Sequence, residues 1–85
     1  MNSQHEYNQK GAVSVEAIPP YQLQVAMRDG RNVRLDLQEL IESREVYWRL
    51  RQVRYFCMVR VDQLGGIYWP EGEDLAPDGL DRYLY

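Results

Sequence analysis

Four carboxylates, Glu71, Glu73, Asp74 and Asp78, fall within eight positions. Such a cluster invites acid–base or calcium chemistry. The spacing does not support calcium, because an EF-hand loop needs oxygens at alternate positions and a distal bidentate Glu. Hydrolysis by paired carboxylates needs a cleft that an 85-residue domain has little room for. The single His, His5, lies in a polar N-terminal stretch, so no ordered base is available to a Ser or Cys nucleophile. Cys57 is expected on an inward strand face, where burial raises a thiol pKa and leaves it inert. No catalytic, metal or cofactor site is expected, and the chain reads as a protein that is not an enzyme.

Recognition is the other chemistry on offer. Arg44, Arg49, Arg51, Arg54 and Arg60 are interleaved with Tyr47, Trp48 and Tyr55. Basic side chains among aromatics suit single-stranded nucleic acid. Glu39, Glu42 and Glu45 break up that face, and Glu45–Arg49 is an ordinary i, i+4 helix pair. Nucleic acid, with the chain as a transcriptional regulator, is therefore the lesser expectation. Trp, Tyr and Arg also dominate protein interfaces. Trp48, Arg49, Tyr55 and the terminal Tyr83 and Tyr85 are the candidate contacts, with Glu71, Glu73 and Asp78 as the acidic counterpart. Another protein is the expected partner, and self-association would also suit a chain this small.

Charge is polarised along the chain. Residues 28–60 carry a net +3, whereas residues 61–85 carry −5, within an overall −3. The overall sign gives no general case for binding nucleic acid, but the polarity can orient a charged partner. With one Cys no internal disulfide can form. The N-terminus lacks the apolar core of a signal peptide. Apolar runs are too short to span a bilayer. A reducing cytoplasm is the expected compartment.

These residues must be held by a small frame. Residues 1–11 are polar and aperiodic and are expected to form a flexible tail, leaving residues 12–85 as one domain. Val13 and Val15 alternate with Ser14 and Glu16. Tyr21, Leu23, Val25 and Met27 alternate with polar neighbours, as do Val33, Leu35 and Leu37. Period two means an antiparallel sheet with one buried face. Pro19-Pro20 makes the first connection. At the second, a two-residue Asp29-Gly30 turn would pair Val25 with Arg34, mixing core and surface. A three-residue loop, Arg28-Asp29-Gly30, pairs Val25 with Val33 and Leu23 with Leu35, with Gly30 left-handed after a type I turn.

Asp36 can cap a helix over residues 38–43, and a second piece is predicted over 46–52, broken near Ser43-Arg44. Leu37, Leu40 and Ile41, at i, i+3 and i+4, begin an apolar stripe that Val46, Leu50 and Val53 continue. Phe56–Val61 reads as a fourth strand, with Cys57, Val59 and Val61 on one face, and Ile67–Trp69 as a fifth. Pro70 ends that strand, and Pro77 suits the first turn of a short helix over 77–83. The order is β-β-β-α-β-β-α: an α+β fold, a small antiparallel sheet with one or two short helices packed on one face. Trp69 is expected to plug the core. Asp74 is expected to accept amides of its own loop.

The chain resembles a small bacterial family called domain of unknown function 2442 over residues 12–80. The likeness runs through Pro20-Tyr21-x-Leu23, Asp29-Gly30, Leu35-Asp36-Leu37-x-x-Leu40, Leu50 and Phe56-x-x-Val59-x-Val61. Its specific part is Ile67-x-Trp69-Pro70-x-Gly72-x-Asp74-Leu75-x-Pro77-Asp78-x-Leu80. Gly30, Trp69, Pro70, Gly72, Asp74 and Leu75 form the structural signature. Glu71 stands where Asn is frequent, and Ala76 where Ser or Thr would cap the last helix, a loss of about 1 kcal/mol. The usual closing Leu-Tyr is here Leu80-Asp81, with Leu84-Tyr85 further on. The resemblance implies a small α+β protein without enzymatic activity, similar to the antitoxin half of a two-gene toxin–antitoxin pair. A phage or plasmid source would turn the same idea toward an inhibitor of a host defence complex. Some members add a C-terminal helix-turn-helix, for which this sequence has no room.

Overall fold

A hairpin turn sets the register of the first sheet. The computed structural model describes residues 10–85, so His5 and most of the expected tail lie outside the described residues. β1 (Ala12–Ile18), β2 (Gln22–Met27) and β3 (Asn32–Asp36) form an antiparallel sheet in that order. The loop is the three-residue one: Val25 faces Val33 and Leu23 faces Leu35. The Gly30 amide donates to the Met27 carbonyl at 3.0 Å, and the Met27 amide to the Arg31 carbonyl at 2.8 Å. Gly30 sits at φ 95°, where a side chain would be strained. Leu23, Val25, Met27, Leu35 and Leu37 are buried together. β1 departs from simple alternation. A register shift between Ala12 and Ser14 buries Ala12 and turns Val13 outward, so only Val15 of the expected pair packs on the core.

The Asp36 carboxylate accepts the Gln38 amide at 2.9 Å, and α1 follows over Gln38–Ser43. Arg44 is extended and breaks the helix as expected. The next piece, Glu45–Arg51, is a 3-10 helix kinked at Tyr47. Three residues per turn cannot keep positions i, i+4 and i+7 on one face. Leu50 is therefore buried while Val46 and Val53 face solvent, and the expected stripe does not form.

Phe56–Val61 is not a strand. Val53–Phe56 forms a single helical turn, α2, and only Arg60–Val61 is extended, as β4. Strand-like composition yields here to tertiary packing. The turn drives Phe56 fully into the core, where its ring lies 5.9 Å from that of Trp69. Cys57 closes the turn and is exposed, which removes the reason for calling it buried and inert.

β4, β5 (Ile67–Tyr68) and β6 (Asp74–Leu75) make a second antiparallel sheet. The fold is α+β, with six strands in two three-stranded sheets in place of the expected five. The Asp62 carboxylate accepts the Leu64 and Gly66 amides, each at 2.9 Å. Asp62 thus does for its turn what was expected of Asp74, which instead lies exposed in β6 and bonds no loop amide among the described residues. A second 3-10 helix, Pro77–Tyr83, starts with Pro as expected, and Ala76 offers it no side-chain cap. Leu84 then bridges to Leu35, and the Tyr85 amide donates to the Arg34 carbonyl at 2.8 Å, so this segment lies on the outer edge of β3.

The two sheets meet at two glycines. The Ala12 amide donates to the Gly65 carbonyl at 2.8 Å, and the Arg28 guanidinium to the Gln63 carbonyl at 2.6 Å. A Cβ on Gly65 would lie 2.9 Å from the Gly11 Cα, at φ +90°. Gly65→Ala must push these backbones apart and adopt a disfavoured dihedral. A loss of about 2 kcal/mol is expected in urea titration. A change below about 0.5 kcal/mol would show that the contact yields freely. No helix among the described residues is long and apolar enough to cross a membrane.

Candidate functional site

The turn joining β5 to β6 builds the first cluster. The Gly72 amide donates to the Trp69 carbonyl at 3.0 Å, and the Trp69 amide to the Glu73 carbonyl at 2.9 Å. Gly72 supplies a φ of 114°. Trp69 is wholly buried, and its indole N–H donates to the Phe56 carbonyl at 2.9 Å. It is the core plug expected from the sequence. The strand ends at Tyr68, one residue short of the expected Ile67–Trp69, and Pro70 begins the turn.

The same turn drives the Glu73 side chain inward, leaving it 7% exposed. Glu73 is therefore not the surface acid expected from the sequence. The Tyr55 hydroxyl donates to its Oε1 at 2.6 Å, and Arg49 Nη1 donates to its Oε2 at 3.2 Å. The Tyr55 hydroxyl also accepts the Glu71 amide at 2.8 Å, which uses both sides of that oxygen. Burial pushes the Glu73 carboxyl up, but the Tyr55 hydroxyl, its own backbone amide and Arg49 together hold it below the usual carboxylate range. Burial, with the Glu73 carboxylate beside it, pushes the Tyr55 hydroxyl up.

From this buried carboxylate a chain of contacts leads outward. The Arg49 guanidinium, fixed by Glu73, lies 4.8 Å from the centre of the Trp48 ring. Trp48 is 44% exposed. Val46, Val53 and Met58 of the neighbouring segments are 63%, 51% and 46% exposed. The structure thus gathers Trp48, Arg49 and Tyr55 with Glu71 and Glu73, from two separate stretches of the sequence.

Asp78 and Tyr83 fall elsewhere, in a groove between α1 and the second 3-10 helix. A cavity of about 290 Å³ there is lined by Leu40, Arg44, Tyr47, Leu75, Asp78 and Tyr83, among others. The Tyr47 hydroxyl points at the Asp74 carbonyl, 3.5 Å away. Burial raises the Tyr47 pKa, and the neighbouring Tyr83 adds to this. Tyr85 is 78% exposed beside β3 and joins neither group. Of the signature residues, Gly30 and Gly72 make turns, Trp69 and Leu75 are core, and Asp74 pairs with Tyr68. Sequence reasoning missed Arg44 and Arg82 as groove residues, since nothing local marks them. Among the described residues no three His, Cys, Asp or Glu side chains come together as metal ligands.

A family model described as "Protein of unknown function (DUF2442)" matches residues 12–83. No curated protein matches the chain. Among solved structures it is similar to "Putative DNA Binding Protein NE0471" from Nitrosomonas europaea ATCC 19718, with a TM-score of 0.75 and 19% identity. The alignment covers 86% of this chain and 47% of that one, so the chain spans about half that protein's length. At this identity the likeness shows a shared fold.

Proposed function

The chain belongs to the DUF2442 family, and from that premise we propose that it is a non-catalytic protein-binding module of the cytoplasm. It resembles the antitoxin half of a two-gene pair or a small inhibitor. The observation that carries this reading is Trp48, held half-exposed under an Arg49 that a buried Glu73 fixes. A rigid exposed aromatic loses little entropy on binding and suits the centre of an interface. Val46, Val53 and Met58 are further exposed apolar side chains of the same and neighbouring segments, and Arg51 and Arg54 are exposed basic ones. Glu73 argues against acid–base work: its oxygens are occupied, and its carboxyl is shifted away from neutrality.

Co-expression with the product of the adjacent gene tests the proposal. A stable complex is expected. Trp48→Ala should weaken it by about thirtyfold or more while shifting the urea transition by less than about 0.5 kcal/mol. Absence of any complex, or a complex indifferent to Trp48, would count against it. The second reading is nucleic-acid binding, favoured by exposed Arg44, Arg51, Arg54 and Arg60 and by the name of the structural neighbour. Phosphate contacts weaken steeply with salt. A mobility shift at low salt that Arg54→Gln weakens would support that reading over the first.

A further inference from the structure

The groove between α1 and the second 3-10 helix lies outside the Trp48 surface. Beyond the cavity of about 290 Å³ it continues through adjoining spaces of about 260 and 420 Å³, all three sharing Arg82 and Tyr83. It is therefore long and open, a shape that suits an extended segment. Leu40 and Leu75 contribute its apolar surface, with the half-buried Tyr47 and Tyr83.

Arg44 and Arg82 line the same two adjoining cavities. Asp78 and Asp74 stand at one end, and Asp36, Glu39 and Glu42 toward the other. Yet neither arginine makes an ion pair or side-chain hydrogen bond among the described residues. Other arginines do: Arg31 with Asp29, Arg49 with Glu73 and Arg51 with Glu45. Two guanidiniums facing one groove repel each other and leave their donor forks to water. A carboxylate between them would gain charge-assisted bonds from both. The acids at either end disfavour a run of phosphates, so charge complementarity selects one central negative group with neutral or basic flanks.

We propose that this groove docks an extended segment of a partner protein, an acidic side chain with apolar or basic neighbours, its carboxylate held between Arg44 and Arg82. The proposal rests on the reading of the chain as a protein-binding module and names a second contact, separate from Trp48.

The probe is a fluorescent octapeptide with one central Glu among Leu and Lys, compared with its Gln counterpart by anisotropy. The Glu peptide should bind at least about tenfold more tightly than the Gln peptide. Arg44→Gln with Arg82→Gln should remove that difference, with the urea transition unchanged. Trp48→Ala and Arg54→Gln should leave it intact. In amide spectra the shifts should cluster at Leu40, Tyr47, Gly79 and Tyr83. Equal binding of the two peptides, or none at millimolar concentration, overturns the proposal. So does full displacement by inorganic phosphate, which would mark a free-anion site. Self-association of the parent that the double variant abolishes would place a second copy in the groove and overturn it too. If the adjacent gene product fails to bind while the Glu peptide binds as expected, the broader reading loses its partner and the groove stands.

Discussion

Trp69→Ala is expected to leave the chain largely unfolded in water at room temperature. Trp69 is wholly buried, its ring lies 5.9 Å from that of Phe56, and its indole N–H satisfies the Phe56 carbonyl. Truncation to Ala costs about 3–5 kcal/mol in transfer and cavity terms. The orphaned Phe56 carbonyl adds about 1 kcal/mol or more. A domain this small has roughly 3–5 kcal/mol in hand. The loss therefore meets or exceeds the whole margin. Trp69→Phe should be milder, about 2 kcal/mol, since a ring remains but the hydrogen bond goes. Circular dichroism and urea titration of the three proteins check this order. A cooperative transition for Trp69→Ala within about 1 kcal/mol of the parent would show that the core closes without the plug.

The importance of Trp69 was legible in the sequence, as was the first sheet. Leu23, Val25, Val33 and Leu35 repeat at period two, and only one loop length puts all four on one face. That constraint is local, so the register could be derived by counting. Asp36 and Pro77 marked helix starts for equally local reasons. Phe56–Val61 failed because its alternation fits a strand, while the conformation was set by the need to place Phe56 against a Trp thirteen positions on. Asp74–Leu75 escaped notice because two residues between turns carry no period at all. The candidate site was half legible. Trp48, Arg49 and Tyr55 could be picked by type, and Glu71 and Glu73 by charge. That Glu73 is buried could not be read, because its partners lie 18 and 24 positions away. Nor could the meeting of Arg44 and Arg82 across a groove, which depends on how α1 and the last helix lie together.

Glu73 carries the second large effect, and the sign of its pH dependence separates it from an ordinary surface acid. Glu73→Ala is expected to cost about 3 kcal/mol, the lower end for breaking a buried ion pair, because Arg49 is 37% exposed and regains some water. The Tyr55 hydroxyl also loses its acceptor. Its carboxyl titrates lower in the folded chain than the ordinary value of about 4.3. The stabilisation is thus fully present above that ordinary value and is lost as pH falls through the lower folded one. Glu73→Gln keeps the shape and removes the charge, so it should lower stability at neutral pH by about 1–2 kcal/mol. That deficit should shrink as pH falls below the ordinary carboxyl value toward the lower folded one, where the parent loses its own carboxylate. Urea midpoints for both proteins across this range measure it. A deficit that stays constant would mean that the charge on Glu73 contributes nothing and that shape alone matters. The same substitution bears on function: with Arg49 released, Trp48 loses the cation that holds its ring. Binding of the adjacent gene product should then weaken several-fold at neutral pH even though Trp48 itself is intact.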